Sequence, residues 1–128
     1  MNPRMHPDIA RPQRIEDLDR LLAQTSDRPL LLFKHSLSCG TSAEALDELL
    51  DHVSADKLDA SYAIVTVQSH RELSNAVSKR LGVRHETPQA LLIRHGRVIW
   101  SASHFRVTAA AVQSAIRSQA IRSNDDAR

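Results

Sequence analysis

Cys39 is the residue of this sequence with the greatest capacity for covalent chemistry. It is the only cysteine among 128 residues, so neither an internal disulfide nor a zinc site built from cysteine pairs can form. Ser42 follows it three residues later, in Cys39-Gly40-Thr41-Ser42. This is the spacing of a C-x-x-C redox pair whose second sulfur has been replaced by a hydroxyl. Because Ser42 cannot resolve a mixed disulfide, thiol exchange at Cys39 would need an outside thiol.

Cys39 lies where a strand is predicted to end and a helix to begin. Pro29 precedes the apolar run Leu30–Phe33, which is typical of a strand buried on both faces. The unpaired N–H groups and positive dipole end of a helix N-terminus favour a thiolate, and such positions lower a cysteine pKa from about 8.5 to about 3.5–7.5. We therefore expect Cys39 to be a reactive, exposed thiol. The helix itself is indicated by apolar residues at helical spacing, namely Leu46, Leu49, Leu50 and Val53.

Changes in hydrophobic period predict the elements that position this residue. In chain order they are a helix over 13–24, a strand over 30–33, a helix from about 39, a strand over 62–67, a helix ending before Gly82, strands over 89–93 and 98–100, and a last helix after Thr108. Ser69 and Glu72 have capping-box spacing, and Gly82 is the expected C-terminal cap. His95-Gly96 predicts a tight hairpin turn, and Thr108 predicts an N-terminal cap.

The order α-β-α-β-α-β-β-α predicts an α/β fold with a mixed sheet. Strands separated by helices run parallel through right-handed crossovers, and the final hairpin adds an antiparallel pair. In the thioredoxin-like version of this order, four strands are arranged 2-1-3-4 and flanked by helices, with one extra helix at the N-terminus. We take this thioredoxin-like arrangement as the predicted fold.

Four loops of this predicted fold converge on one end of the sheet, where ligands of open α/β sheets bind. They carry Cys39, Pro88 and four of the seven histidines, which are His35, His70, His85 and His104. His52 and His95 fall at the opposite end. No H-x-x-H or similarly close ligand spacing occurs, so we expect no metal site. The cysteine, the proline and four histidines are thus expected to share the binding end.

Length and composition predict one small globular domain. The composition, with 41% hydrophobic and 25% charged residues, is typical of a globular protein. We expect a flexible arm over 1–12, a single domain over 13–122 and a frayed tail over 123–128. Residues 1–12 contain no apolar h-region, so we expect no secretory signal, and the sequence contains no apolar run of the ~20 residues that span a bilayer. We therefore expect a cytoplasmic monomer without a membrane partner. A net charge of +2, four aromatic residues and the absence of a Lys/Arg cluster argue against a nucleic-acid partner.

Three blocks at the predicted binding end share features with one known family. They are Phe33-Lys34-His35-Ser36-x-x-Cys39-x-x-Ser42, Gly82-Val83-Arg84-His85-Glu86-Thr87-Pro88-Gln89 and Ala102-Ser103-His104-Phe105. These blocks, together with residues 67–75, resemble the YtxJ-type monothiol bacilliredoxins, which are thioredoxin-fold proteins of the bacillithiol system. The resemblance covers roughly Ile15 to Ala120.

The resemblance implies a thiol–disulfide oxidoreductase that reduces bacillithiol mixed disulfides on proteins. Cys39 would be the catalytic residue, bacillithiol the cosubstrate, and no cofactor would be permanently bound. Pro88 corresponds to the proline that is cis in thioredoxin-like folds. Residues expected to support the active site are His35, Gly40, Ser42, Thr87 and Pro88. Residues expected to bind the thiol cosubstrate, which ends in a malate dianion, are Lys34, Arg84, His85, Ser103 and His104.

Two other functions are compatible with the same residues. The Cys-Gly-x-Ser pattern is similar to that of monothiol glutaredoxins, some of which carry iron–sulfur clusters. A carrier of this kind would hold a [2Fe–2S] cluster with Cys39 from two subunits and two thiol cosubstrates. The other alternative is a stress-associated module that binds thiols without turnover.

Overall fold

The structure, a computed structural model, describes residues 9–38, 40–55 and 60–126. Its helices and strands alternate as the sequence predicts. The strands are β1 (Ile9–Ala10), β2 (Leu30–His35), β3 (Ser61–Thr66), β4 (Gln89–Arg94) and β5 (Arg97–Ser103). The helices are α1 (Ile15–Ala23), α2 (Gly40–Ala55), α3 (Arg71–Leu81) and α4 (Ala109–Asp126). Two single-turn 3₁₀ helices, Gln24–Ser26 and His104–Arg106, follow α1 and β5.

The sheet contains the predicted arrangement and one additional strand. The predicted order is present as β3-β2-β4-β5, with β2 parallel to β3 and antiparallel to β4. The expectation of four strands is wrong, because β1 pairs with β3 in parallel and makes a fifth. Ile9 is buried in the core, opposite Tyr62, so apolar burial and backbone pairing together bring part of the expected arm into the sheet. Residues 1–8 of that arm lie outside the described residues.

Two apolar layers cover the two faces of the sheet. Leu31 and Phe33 belong to the layer that includes residues of α2 and α4, while Leu30 and Leu32 belong to the layer with residues of α1 and α3. Successive side chains of a strand point to opposite faces. The last two residues of β2, Lys34 and His35, therefore continue the α1/α3 face and the α2/α4 face respectively.

Three of the four predicted cap and turn positions are confirmed. Gly82 ends α3 in the left-handed region, with φ of 64°, and Thr108 accepts a hydrogen bond from the Ala111 N–H at 3.1 Å. His95 and Gly96, with φ of 53° and 72°, form the β4–β5 turn. The turn is tied to Thr25, whose hydroxyl lies 2.8 Å from the nitrogen of Gly96. His95 thus lies at the end of the sheet opposite the carboxyl end of β2.

The expected capping box at Ser69 is wrong. Helix α3 begins at Arg71, with His70 at the N-cap and no side-chain cap hydrogen bond. The N–H of His70 donates instead to the carbonyl of Thr66 at 3.0 Å, which closes a turn at the point where Ser69 was expected to cap the helix.

Helix α4 runs to Asp126, and its backbone thereby includes residues 123–126 of the segment expected to fray. Residues 127–128 lie outside the described residues. None of the helices in the described part of the chain is long and apolar enough to cross a membrane.

Candidate functional site

The candidate nucleophile, Cys39, lies outside the described residues, whereas its chain neighbours on both sides are described. Ser38 ends the loop that follows β2, and Gly40 is the first residue of α2. Apart from Gly40 itself, its chain neighbours and the adjacent backbone of α2, no heavy atom of the described residues lies within 4 Å of the position that a Cβ at Gly40 would occupy. Packing therefore does not require glycine at this expected support position.

Ser42 and His35 form a buried hydrogen-bonded pair next to this segment. The Ser42 hydroxyl lies 2.8 Å from Nδ1 of His35 and accepts the backbone N–H of Ser36 at 2.9 Å. Ser42 is fully buried and His35 is 4% exposed. The structure thus brings together two of the expected support residues, and Ser42 fixes the turn from β2 into the loop.

A third side chain, Gln68, holds the residues between β2 and Cys39. Its Oε1 accepts the Leu37 N–H at 3.0 Å, while its amide nitrogen donates to the hydroxyls of Ser36 at 2.9 Å and Ser38 at 3.3 Å. Gln68 was not predicted as a site residue: it lies 31 residues from Leu37, and it is not one of the residues that carry the family resemblance over 67–75. Its only signal was its position directly after the second predicted strand, on one of the converging loops.

The segment before β4 contacts the segment after β5 at the same end of the sheet. The Thr87-Pro88 peptide bond is cis, as expected, and Pro88 is buried. The carbonyl of Pro88 accepts the N–H of His104 at 2.9 Å. The Ser103 hydroxyl donates to a carboxylate oxygen of Glu86. The structure therefore brings Thr87, Pro88, Ser103 and His104 together, and it adds an acidic partner that the sequence reasoning did not include.

Lys34 is directed to the other face of the sheet. Its side chain is fully buried on the α1/α3 face, and its Nζ lies 3.2 Å from the carbonyl of Ser74, 3.1 Å from the hydroxyl of Ser78 and 2.8 Å from Nδ1 of His85. Burial lowers the pKa of Lys34 from 10.5 to about 8. The expectation that Lys34 supplies a counter-charge to a bound thiol is not supported by this placement, because the ammonium is engaged beneath α3.

His85 and Arg84 belong to the loop that joins α3 to β4. His85 is exposed, and desolvation together with the positive charges of Lys34 and Arg71 lowers its pKa. The side chain of Arg84 is exposed, and its carbonyl accepts the amide N–H of the buried Gln89 at 2.9 Å. Arg84 is therefore available to an anion in solution, whereas Nδ1 of His85 is already occupied by Lys34.

The remaining histidines do not join this group. His70 lines a cavity between the N-termini of α1 and α3, together with Arg14 and Arg71. His95 lies in the β4–β5 turn, and the side chain of His52 is outside the described residues. Among the described residues, no group of three or more potential ligands is arranged to hold a metal ion.

Two large apolar side chains are exposed on these loops. Leu37, in the loop held by Gln68, is 67% exposed, and Phe105, next to His104, is 82% exposed. Leu37 and Phe105 are therefore apolar groups, and the exposed Arg84 a basic group, that a partner can reach at this end of the sheet.

The architecture is that of solved thioredoxin-fold proteins. The chain is similar to a protein described as a candidate oxidoreductase with a thioredoxin fold, with 25% identity and a TM-score of 0.73, covering 84% of this chain and 93% of that one. It is similar to Fasciola hepatica thioredoxin, with 15% identity and a TM-score of 0.69, covering 85% and 97% of the two chains. It is similar to Schistosoma mansoni thioredoxin, with 19% identity and a TM-score of 0.68, covering 87% and 97%.

The sequence also matches a family model. The model is that of the monothiol bacilliredoxin BrxC, and it matches residues 12–112, a range that contains Cys39, Ser42, Pro88 and His104. This range extends over most of the described sheet and three of its helices. The chain therefore belongs to the monothiol bacilliredoxin family, has a thioredoxin fold, and carries the thiol redox function of that family.

Proposed function

We propose that this protein removes bacillithiol from oxidised proteins, with Cys39 as its one catalytic sulfur. The observation that carries the proposal is the position of the only cysteine of the sequence, directly before the first residue of the 16-residue helix α2. The N-terminus of a helix of this length favours a thiolate over a thiol. The family match supports the thiol chemistry; bacillithiol as the cosubstrate is our proposal.

The reaction takes place in two thiol–disulfide exchanges. In the first, the Cys39 thiolate attacks the bacillithiol sulfur of a mixed disulfide, the protein–bacillithiol S–S bond breaks, and the target cysteine leaves as a thiolate that takes up a proton. In the second, a bacillithiol thiolate attacks the sulfur of bacillithiol on Cys39. Bacillithiol disulfide is released and the Cys39 thiolate is regenerated, so electrons and sulfurs balance without a bound cofactor.

Ser42 supports a one-cysteine route for this reaction. Its hydroxyl occupies the position at which a C-x-x-C protein has its resolving thiol, and it is buried against Ser36 and His35. A hydroxyl cannot displace a sulfur from a disulfide, so the adduct on Cys39 persists until a second small thiol arrives. The protein is accordingly expected to accumulate a one-bacillithiol adduct.

The cosubstrate is proposed to bind along the edge formed by Arg84, Thr87, Ser103 and His104. Arg84 and His104 are exposed; the Arg84 guanidinium provides positive charge for the malate dianion of bacillithiol, and the His104 ring provides a further polar contact. The backbone of Thr87 would pair with the extended main chain of the substrate beside Pro88. We do not assign this role to Lys34, because its ammonium is bonded beneath α3.

The partners proposed are bacillithiolated proteins and the free small thiol, encountered by a monomer in the cytoplasm. The exposed side chains of Leu37 and Phe105 give the target protein an apolar contact surface beside the loops of the site.

The proposal is tested by turnover on a bacillithiolated reporter protein. Wild-type protein and reduced bacillithiol should release the reporter thiol and form bacillithiol disulfide, whereas Cys39→Ser should release none above background. Glutathione in place of bacillithiol serves as the cosubstrate control. Equal release by wild type and Cys39→Ser would contradict the proposal, and a visible cluster spectrum after anaerobic purification would support the iron–sulfur carrier instead.

A further inference from the structure

A buried lysine on the face of the sheet away from Ser42 has no role in the exchange reaction described above. Lys34 is fully buried, and among the described residues no carboxylate forms an ion pair with it. Its hydrogen-bond partners are a carbonyl, a hydroxyl and an imidazole, all uncharged. A buried cation without a counter-charge opposes folding. We therefore consider which parts of the chain the hydrogen bonds of Lys34 hold in position.

Lys34 and its strand neighbour Gln89 bind two successive residues of one loop. Lys34 and Gln89 are register partners in β2 and β4, and both of their side chains are buried. Lys34 Nζ lies 2.8 Å from Nδ1 of His85, and the amide of Gln89 donates to the carbonyl of Arg84 at 2.9 Å. The loop that they hold leads directly into Thr87 and Pro88.

We propose that Lys34 is a positioning residue, which acts through His85 to fix the 84–88 segment so that the Thr87 backbone is presented to the substrate. This inference rests on the proposed function for its catalytic consequence, since Thr87 is the proposed partner of the substrate main chain. The positioning itself is a property of the fold and can be measured without any substrate.

The Lys34–His85 contact requires a neutral imidazole. An ammonium has three donors and no acceptor, so Nδ1 of His85 must be the acceptor. The charged groups that act on His85 are Lys34 from β2 and Arg71 from α3, both positive. Desolvation, followed by these two positive charges, lowers the pKa of His85 and keeps the acceptor form populated. A proton on Nδ1 removes the hydrogen bond and places two cations in contact, which releases the segment.

The test compares Lys34→Met with Lys79→Met, a matched replacement of an exposed lysine in the last turn of α3. Methionine keeps the length and the apolar stem of lysine but removes the ammonium. In Lys34→Met we expect the His85 pKa, followed by NMR, to rise, and the backbone amide signals of residues 84–87 to shift. We also expect the His104 N–H, which donates to Pro88, to exchange about tenfold faster with solvent. The unfolding midpoint should stay at or above that of wild type. Lys79→Met should leave all four quantities unchanged.

The catalytic arm uses the reporter assay. A misplaced substrate-binding segment slows exchange by about tenfold to a hundredfold, so Lys34→Met should be slower than wild type while Lys79→Met is not. Unchanged His85 pKa, amide shifts and His104 protection in Lys34→Met would overturn the inference, as would a fall in the unfolding midpoint with loosening throughout the domain. If wild type shows no turnover, the proposed function fails, and the NMR comparison still decides the positioning claim.

Discussion

Nδ1 of His35 lies 2.8 Å from the hydroxyl of Ser42, with both side chains buried. The same hydroxyl accepts the N–H of Ser36. One small side chain in the first turn of α2 therefore satisfies two buried groups of the chain that leads from β2 toward Cys39. Ser42 therefore has two effects: its hydrogen bonds support the structure of this segment, and its hydroxyl stands where a C-x-x-C protein has a second thiol.

Ser42→Ala is expected to destabilise the fold. The Ser36 N–H would lose its acceptor in a buried site, and leaving such a group unsatisfied costs about 1–3 kcal/mol. Urea unfolding measures the change. The matched control is Ser118→Ala, an exposed serine in α4, which should change the free energy of unfolding by less than about 0.5 kcal/mol. Equal effects of the two substitutions would show that the Ser42 hydrogen bonds do not support the fold.

Ser42→Cys should change the product that accumulates. It rebuilds the C-x-x-C spacing of redox-active cysteine pairs, in which two cysteines three residues apart are joined by a disulfide. The new thiol is expected to resolve the Cys39–bacillithiol adduct internally, because an intramolecular attack has a large advantage over an external thiol. Intact mass should show a loss of two hydrogens in this variant, and its turnover should need a dithiol reductant. Persistence of the one-bacillithiol adduct would contradict the expected geometry.

Gln68→Ala should loosen the loop before Cys39 while leaving most of the domain intact. Gln68 is exposed, so its removal costs little burial, but Leu37 loses the acceptor of its N–H. Faster hydrogen exchange at the Leu37 amide and exchange turnover slowed by about tenfold are expected. Gln68→Glu is the matched control, because it keeps an oxygen acceptor for the Leu37 N–H while it replaces the amide donor with a second, charged carboxylate oxygen. Its Leu37 amide should stay protected. Unchanged Leu37 exchange in Gln68→Ala would show that the glutamine does not hold this loop.

Lys34 should make the stability of the domain depend on pH in the alkaline range. Its pKa is about 8 in the folded protein against 10.5, so between these values the unfolded chain binds one proton more than the folded chain. The free energy of unfolding therefore rises as pH increases from 8 to 10.5, and this stabilisation is lost as pH falls back through 8. The rise is at most about 3 kcal/mol, at 1.36 kcal/mol per pKa unit. Denaturant titrations of wild type and Lys34→Met should diverge over this range, with the variant lacking the rise. Parallel curves would contradict the depressed pKa.

Much of the fold follows from local signals in the sequence. The apolar run before Cys39, the left-handed cap at Gly82 and the His95-Gly96 turn each depend on residues close in sequence, and each is present. The strand β1 has only two residues, too few to produce a recognisable period. Its pairing is decided by the free edge of β3, which no local pattern reveals.

The site was predicted less completely, for two physical reasons. Gln68 acts across 31 residues, and a contact of this kind depends on the assembled fold. Lys34 is different, because the signal was available. Lys34 and His35 are adjacent in a strand, and strand side chains alternate between faces, so the two could not both point toward the α2 side. The positive charge of Lys34 led to its prediction as a counter-ion, whereas the alternation of side chains along β2 places its ammonium on the α1/α3 face.

The most direct test of the account is the intact mass of the protein after treatment with oxidised bacillithiol. Wild type should gain the mass of one bacillithiol, reversible by excess reduced bacillithiol, and Cys39→Ser should gain none. The rate of adduct formation should persist below the ordinary cysteine pKa of about 8.5. A wild-type protein that gains no adduct, under conditions where a control protein with a low-pKa thiol does, would contradict monothiol exchange through Cys39.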